Sequence, residues 1–475
     1  MPSVLTVNIE QIRSSLIDTK IVGKVNFEVE NPSVVWIKGL NGSGKSTLVS
    51  ALTGIAFYKN SGLIVNGSVC LSNVESGKII YAEKNPYEFA GHISLLPQRL
   101  GGSFMAIHHQ DDIVFSAEGG SEQIYTKETL NDPIYLANIM KPTLDNLNLY
   151  PFLGNRLGEC SYGETRRTEI GCDLIAHESL VILDEPFYGL DKHWIQKVVD
   201  EIKRLTDEYK PIWVLTSNVD PSEYGLIPNI EIELDISESR SRVFELIKDK
   251  IVESFKSNIL KDDIEVEIED LLIRRTKPRD ITIRLNSFEA GLGKKTYVIG
   301  NNGSGKSTIS EVLSGLLFTN KSKGIELSYN LFGNLFEDRI SKAPNDIAFL
   351  VFQNPHRAFL FTDVEQDLLQ PDLSDLSRKF YYESFDLLEK GWGSFKRKPI
   401  TFSFGQLKFL GLLLTPLDRK IIIFDEPKLG LHPSLHVYID EIIESISRSG
   451  RLVVITSCEE QNYEEIDFVH HLRGT

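Results

Sequence analysis

The sequence predicts an α/β protein built from two tandem copies of one unit, and three observations predict it. A glycine-rich pattern occurs twice, as Gly39-Leu40-Asn41-Gly42-Ser43-Gly44-Lys45-Ser46-Thr47 and as Gly300-Asn301-Asn302-Gly303-Ser304-Gly305-Lys306-Ser307-Thr308. Each copy follows a short apolar run, Val34–Ile37 or Tyr297–Ile299, and leads into a helix-compatible run, TLVSALTGIAF or TISEVLSGLLF. Two more apolar runs then recur in the same order, Leu180–Leu183 matched by Ile421–Phe424, and Ile212–Leu215 matched by Leu452–Ile455. Short β-branched runs alternating with longer segments suggest a mainly parallel sheet flanked by helices. Repetition of the whole set argues for a duplicated domain.

The length of 475 residues accommodates two large domains, expected at 1–237 and 262–475 with a helical connector at 238–261. In the connector, Phe244, Ile247, Ile251, Phe255 and Ile259 fall at spacings of three and four without Pro or Gly, which predicts an amphipathic helix packed on one of the domains. Its polar face mixes Lys with Asp and Glu, whereas a membrane-surface helix is predominantly basic. The net charge of −16 argues against tight non-specific nucleic-acid binding, so no stable nucleic-acid partner is expected. Cys70, Cys160, Cys172 and Cys458 are scattered and form no CxxC, which reads as reduced thiols of a cytosolic protein. The N-terminus MPSVLTVNIE reads as a strand and not as a signal peptide. No apolar run approaches the ~20 residues that span a bilayer, so any work at a membrane is expected from its cytoplasmic, inner face, through a partner.

The glycine-rich pattern is a P-loop: glycines let backbone N–H groups turn inward and cradle phosphates at a helix N-terminus. Asn41, Gly42, Gly44 and Thr47, with Asn302, Gly303, Gly305 and Thr308, are the expected cradle. Lys45 and Lys306 would neutralise the β/γ-phosphates, and Ser46 and Ser307 would offer a hydroxyl to Mg²⁺. Leu183-Asp184-Glu185-Pro186 and Phe424-Asp425-Glu426-Pro427 each end an apolar run. The first acid of each pair is placed to hold the metal, and the second, Glu185 or Glu426, to accept a proton from the attacking water. A pair of acids at a strand end is weak evidence alone; behind a P-loop it forms a Walker B motif.

A third element lies upstream of each Walker B motif: Cys160-Ser161-Tyr162-Gly163-Glu164 and Phe402-Ser403-Phe404-Gly405-Gln406. The glycines Gly163 and Gly405 precede Asp184 and Asp425 by 21 and 20 residues. Here the chain resembles the ATP-binding cassette (ABC) family, whose signature reads LSGGQ. The resemblance covers nearly the whole chain and also includes a Q-loop glutamine, Gln98 or Gln353, and a Gly-Leu loop after each Walker B. It implies two ABC-type domains, each with a helical subdomain, paired head to tail around two ATP molecules per chain. One site would join Lys45, Gln98, Asp184 and Glu185 to Ser403, Gly405 and Gln406. The other would join Lys306, Gln353, Asp425 and Glu426 to Ser161, Gly163 and Glu164. The glutamines would join Ser46 and Asp184, or Ser307 and Asp425, around Mg²⁺. A fused pair needs no homodimer, because each half is present at high effective concentration for the other.

The chain departs from the family pattern in several places. The family's histidine after the last strand is replaced in both copies, which read Thr216-Ser217-Asn218 and Thr456-Ser457-Cys458. Asn can donate one hydrogen bond and Cys is a poor substitute, so ATP binding at both sites with slow hydrolysis is expected. The loop after Walker B reads Gly189-Leu190-Asp191 in one copy and Gly430-Leu431-His432-Pro433 in the other, a tolerated surface change or a source of asymmetry between sites. No aromatic stands where the family usually stacks adenine, so base selectivity stays open. The pair His108-His109 is expected in a polar loop and not as metal ligands, because adjacent residues on a strand point oppositely. The stretch from Lys45 to Asp184 exceeds that from Lys306 to Asp425 by 20 residues, mostly after Gln98, which is loop variation or a docking surface.

The second copy reads Val351-Phe352-Gln353-Asn354-Pro355, then Phe361-Thr362-Asp363-Val364-Glu365-Gln366-Asp367. This is similar to the FQNP…VEEDV wording of energy-coupling factor ATPases, in which this region contacts a membrane subunit. The resemblance implies a tandem ATPase that powers a separate transmembrane transporter subunit. Two other readings are open: a soluble ABC ATPase acting on the ribosome or DNA, which the phrase Gly430-Leu431-His432-Pro433 brings to mind, and a regulatory nucleotide sensor, favoured by the missing histidines.

Overall fold

The runs Val34–Ile37, Leu180–Leu183 and Ile212–Leu215 become the centre of one parallel sheet. Its order is Ile230–Glu233, Ser33–Lys38, Ile212–Thr216, Leu180–Asp184, Ile93–Leu96. Leu180–Asp184 and Ile212–Thr216 are buried at every position, as expected of strands covered on both faces. The second copy builds the same arrangement, in the order Ala348–Val351, Ile421–Asp425, Leu452–Ser457, Lys295–Gly300, Phe468–Leu472. The computed structural model describes residues 3–15, 20–122, 124–156, 159–260, 265–275, 281–291, 293–301, 303–317, 325–332, 348–370, 375–458 and 467–472. Met1, Pro2, Phe318, which closes the run after the second P-loop, and residue 261 of the expected connector lie outside them.

Two compact units emerge, Met1–Ile236 and Ser237–Thr475. Each carries a second, antiparallel sheet that the sequence did not announce. In the first unit it pairs Ser3–Ser14 with Lys20–Val22, Val25–Glu30 and Leu63–Asn73, with Ile79–Tyr81 beyond. In the second, Glu265–Arg275 lies between Ile281–Gly291 and Ile325–Phe332. The alternating pattern of Ser3–Ser14, with Leu5, Val7 and Ile9 fully buried, faces this sheet toward the P-loop helix and the parallel sheet. The opposite face of the parallel sheet packs on the helices, through Leu183, Trp213, Leu215, Val198 and Ile202.

The connector helix runs Glu238–Ser257 and belongs to the second unit. Phe244, Ile247, Ile251 and Phe255 are buried, and Ile259, past the helix end, is exposed. Phe244 meets the rings of Trp392 and Phe409 at 4.8 and 4.9 Å. Lys248 pairs with Glu441 at 2.9 Å and Lys250 with Glu383 at 2.6 Å, so the mixed-charge face is a paired protein surface. His109 corrects the expected polar loop: it opens the helix His109–Glu118, fully buried, 5.1 Å from the ring of Phe104. Helical spacing with Ile113 and Ala117 carries it into the core, and burial holds its pKa low, so the ring stays neutral.

Trp213 is the largest fully buried side chain, and its indole N–H donates to Thr206 Oγ1 at 2.8 Å. Trp213→Ala is expected to destabilise the first unit by ~3–5 kcal/mol, read as a lower denaturant midpoint for that unit.

Candidate functional site

Each P-loop turns between a central parallel strand and a helix, Lys45–Leu52 or Lys306–Leu313. Gly42 and Gly44 have φ of 84° and 104°, and Gly303 and Gly305 have 82° and 98°. Only glycine adopts these values without strain. Space adds a second constraint. A Cβ on Gly44 would sit 2.8 Å from a Val22 methyl, and one on Gly305 2.2 Å from Ile283 Cδ1. The antiparallel sheet therefore presses each P-loop from behind.

The two lysines are nearly buried and make matching contacts. Lys45 Nζ donates to Gly39 O at 2.7 Å and Asn218 Oδ1 at 3.1 Å, and lies 3.3 Å from Glu185 Oε1. Lys306 Nζ donates to Gly300 O at 2.6 Å, Asn301 O at 3.1 Å and Cys458 Sγ at 3.2 Å, and lies 3.4 Å from Glu426 Oε1. The positions that lack the family's histidine thus converge on the P-loop lysine and the Walker B glutamate in both units. Burial pushes the Cys458 thiol up to about 12, so it stays protonated and donates to Glu426 Oε1 at 2.9 Å. Burial also raises Glu426, against the pull of Lys306.

Threonines that the sequence left without a role order both Walker B pairs. Thr216 Oγ1 donates to Asp184 Oδ1 and accepts from Glu185 N at 3.0 Å. Thr456 Oγ1 donates to Asp425 Oδ1 at 2.6 Å and accepts from Glu426 N at 3.3 Å. Glu185 and Glu426 have φ of 54° and 47°, a left-handed conformation that costs a non-glycine residue about 1–2 kcal/mol.

Ser46 Oγ approaches Gln98 Oε1 at 3.4 Å and also contacts Asp184, whose pKa burial raises. This set of hard oxygens fits a cation that takes one carboxylate and completes its shell with phosphate and water, as Mg²⁺ does. No group of three or more His, Cys, Asp or Glu side chains suited to an all-protein metal site occurs among the described residues. Gln353, like Gln98, stands two positions past its strand, Ala348–Val351, while Ser307 is the second residue of its helix. Ser43 Oγ and Ser304 Oγ, in the two cradles, are buried without a protein partner, which suits loops that present donors to a phosphate. Thr47 and Thr308 lie in the first helical turns, Asn41 is buried, and Asn302 lies outside the described residues.

Both signatures open helices. Ser161 and Glu164 form a capping box at Tyr162–Ile175, with Ser161 N donating to Glu164 Oε2 at 2.8 Å. Ser403 and Gln406 do the same at Phe404–Leu413, with Ser403 N donating to Gln406 Oε1 at 2.9 Å. Gly163 and Gly405 occupy the second helical position, where the free N–H groups of a helix start lie. Tyr162, where the family motif has glycine, packs its ring so closely on Gly189 that a Cβ there would fall 2.3 Å from it. The His432 substitution keeps a structural duty: it caps Pro433–Arg448, as Asp191 caps Lys192–Tyr209.

The ABC transporter family profile matches residues 22–188 and 284–428, more than half of the chain. The chain belongs to the ABC transporter family. A Streptococcus agalactiae protein provisionally named an ABC transporter ATP-binding protein is 22% identical over 92% of this chain and 83% of its own length. The energy-coupling factor transporter ATP-binding protein EcfA1 of Mycoplasma capricolum is 29% identical over 47% of this chain and 55% of its own. Among solved structures, a chain of ribosome-bound archaeal Pelota and ABCE1 is 18% identical, with a TM-score of 0.54 over 90% of this chain and 70% of that one. That likeness shows the fold. This ABC protein is therefore an ATP-binding ATPase with two tandem cassettes.

Lys45→Met is expected to lower the number of ATP molecules retained per chain from two to one, with Lys306→Met doing the same at the other P-loop. Equilibrium titration with ATP reads both.

Proposed function

We propose that this protein is the tandem ATPase subunit of a membrane transporter, working from the cytoplasmic face on a separate transmembrane partner. The observation that carries this is a duplicated loop downstream of the Q-loop glutamine. Asp112, buried, accepts from Met105 N and Ala106 N at 2.7 and 3.0 Å. Asp367, also buried, accepts from Leu360 N and Phe361 N at 2.7 and 3.3 Å. Each aspartate stands 14 residues after its glutamine, and the residue it props up stands 7 after it. Met105 is 80% exposed and Leu360 73% exposed. An apolar tip held rigidly into solvent by a buried carboxylate suits contact with another protein. The likeness to energy-coupling factor proteins supports a transmembrane partner, and no helix among the described residues is long and apolar enough to cross a membrane itself.

In the proposed cycle the two cassettes, taken as 1–237 and 262–475 around the connector 238–261, close head to tail on two ATP molecules. Lys45 and Lys306 leave their glutamates for the phosphates. Glu185 and Glu426, released from the lysines, each accept a proton from a water attacking the γ-phosphorus, and ADP leaves with inorganic phosphate. Mg²⁺, held by Ser46, Gln98 and Asp184 or by Ser307, Gln353 and Asp425, would supply charge neutralisation on the β/γ-phosphates. The free N–H groups at the starts of the Ser161-Gly163-Glu164 and Ser403-Gly405-Gln406 helices would reach the γ-phosphate of the opposite cassette, so hydrolysis would release the closure.

The double variant Met105→Asp/Leu360→Asp is expected to lose co-purification with a membrane protein from native membranes while still binding ATP. A wild-type chain recovered only as a soluble species, or on ribosomes in a salt-dependent manner, would overturn the transporter reading. Turnover of the assembled complex is expected to be slow, and Asn218→His with Cys458→His is expected to raise kcat. Steady-state phosphate release measures both.

A further inference from the structure

One position of the signature helix makes the same contact in both cassettes, although its residue differs. Arg166 lies three residues after Gly163, and Lys408 three after Gly405. Both are cationic and almost fully buried, at 0% and 2% exposure. Arg166 Nη2 donates to the backbone carbonyls of Asp184 and Glu185, each at 2.9 Å. Lys408 Nζ donates to the carbonyl of Glu426 at 2.6 Å and of Leu429 at 3.0 Å. The acceptor common to both is the carbonyl of the left-handed Walker B glutamate. Its N–H is already fixed: Glu185 N donates to Thr216 O at 3.0 Å and Glu426 N to Thr456 O at 3.2 Å.

We propose that Arg166 and Lys408 are positioning residues for ATP hydrolysis, which lock Glu185 and Glu426 in the left-handed conformation that aims each carboxylate at the P-loop. Holding the glutamate's own N–H and its own carbonyl fixes the peptide planes on either side of it, and with them both of its backbone dihedrals. The carboxylate can then change its partner from lysine to water while its backbone stays in place. Burying a cation is unfavourable unless it is paired or hydrogen-bonded, and the two cassettes meet that need differently. Arg166 has a buried carboxylate, Glu169, 3.2 Å away. Its Nη1 also donates to Pro97 O at 2.9 Å, and Glu169 Oε1 accepts from Gly101 N at 2.6 Å. The arginine therefore ties the backbone beside Gln98 to the Walker B glutamate through one rigid group. Lys408 is served by carbonyls, and burial pushes its ammonium down to about 7. What the two positions share is donation to the glutamate carbonyl.

This inference rests on Glu185 and Glu426 as the bases, and the experiment separates the two ideas. In the full chain, Glu185→Gln/Glu426→Gln is expected to abolish phosphate release and keep ATP binding. Arg166→Met/Lys408→Met is expected to lower kcat about tenfold or more with KM and ATP affinity nearly unchanged, the pattern of a contact that matters in the transition state. The exchange Arg166→Lys/Lys408→Arg, which keeps a donor at each position, is expected to retain most of the turnover. Where the Met pair does not fold, Arg166→Leu/Lys408→Leu, which also lacks a donor, carries the same expectation. Normal kcat in the folded Met or Leu pair, or loss of ATP binding in step with kcat, would overturn the positioning role. If the Glu→Gln pair hydrolyses ATP at the normal rate, the assignment of the bases falls and the positioning role with it.

Discussion

A lysine ammonium at the mouth of each parallel sheet must find partners without water, and the rest of the site is arranged around that need. Desolvating a cation is unfavourable unless oxygen or sulfur acceptors surround it. Gly39 or Gly300 supplies a carbonyl, the Walker B glutamate a carboxylate, and Asn218 or Cys458 a side-chain acceptor. These groups come from three different segments, and only the parallel pairing of their strands brings the segments' ends together. The antiparallel sheet fixes the remaining freedom by closing against Gly44 and Gly305.

The same need explains why strain is tolerated at Glu185 and Glu426. A right-handed or extended backbone there would direct the carboxylate elsewhere. The left-handed turn persists because threonine below and a buried cation beside it hold both flanking peptide groups. Strain at such a residue persists only where the surroundings over-determine it.

Much of this was legible in the sequence because it is local. Fully buried strands read as continuous apolar runs, and the P-loop spells out its turn in glycines. The connector's spacing located four of its buried residues, Phe244, Ile247, Ile251 and Phe255. What escaped was decided by contacts distant in sequence. Arg166 reaches Pro97, 69 positions away, and nothing in its neighbours marks it as buried. Comparing the two copies residue by residue would have found it, since a cation recurs at the same offset from each signature glycine. His109 was misjudged because adjacent polar residues suggested a loop, whereas a helix buries one of them. The antiparallel sheets were missed because strands such as Leu63–Asn73 carry a weak apolar pattern on one face.

The unequal acceptors of the two lysines, Asn218 and Cys458, carry a genetic consequence. In an assembly of two identical chains every substitution enters both sites at once, so a change harmful at either is lost. A fused chain is free of that rule, and drift or selection can act on one cassette while the other keeps working. The amide in one unit and the thiol in the other record that independence: after the duplication, each half followed its own history.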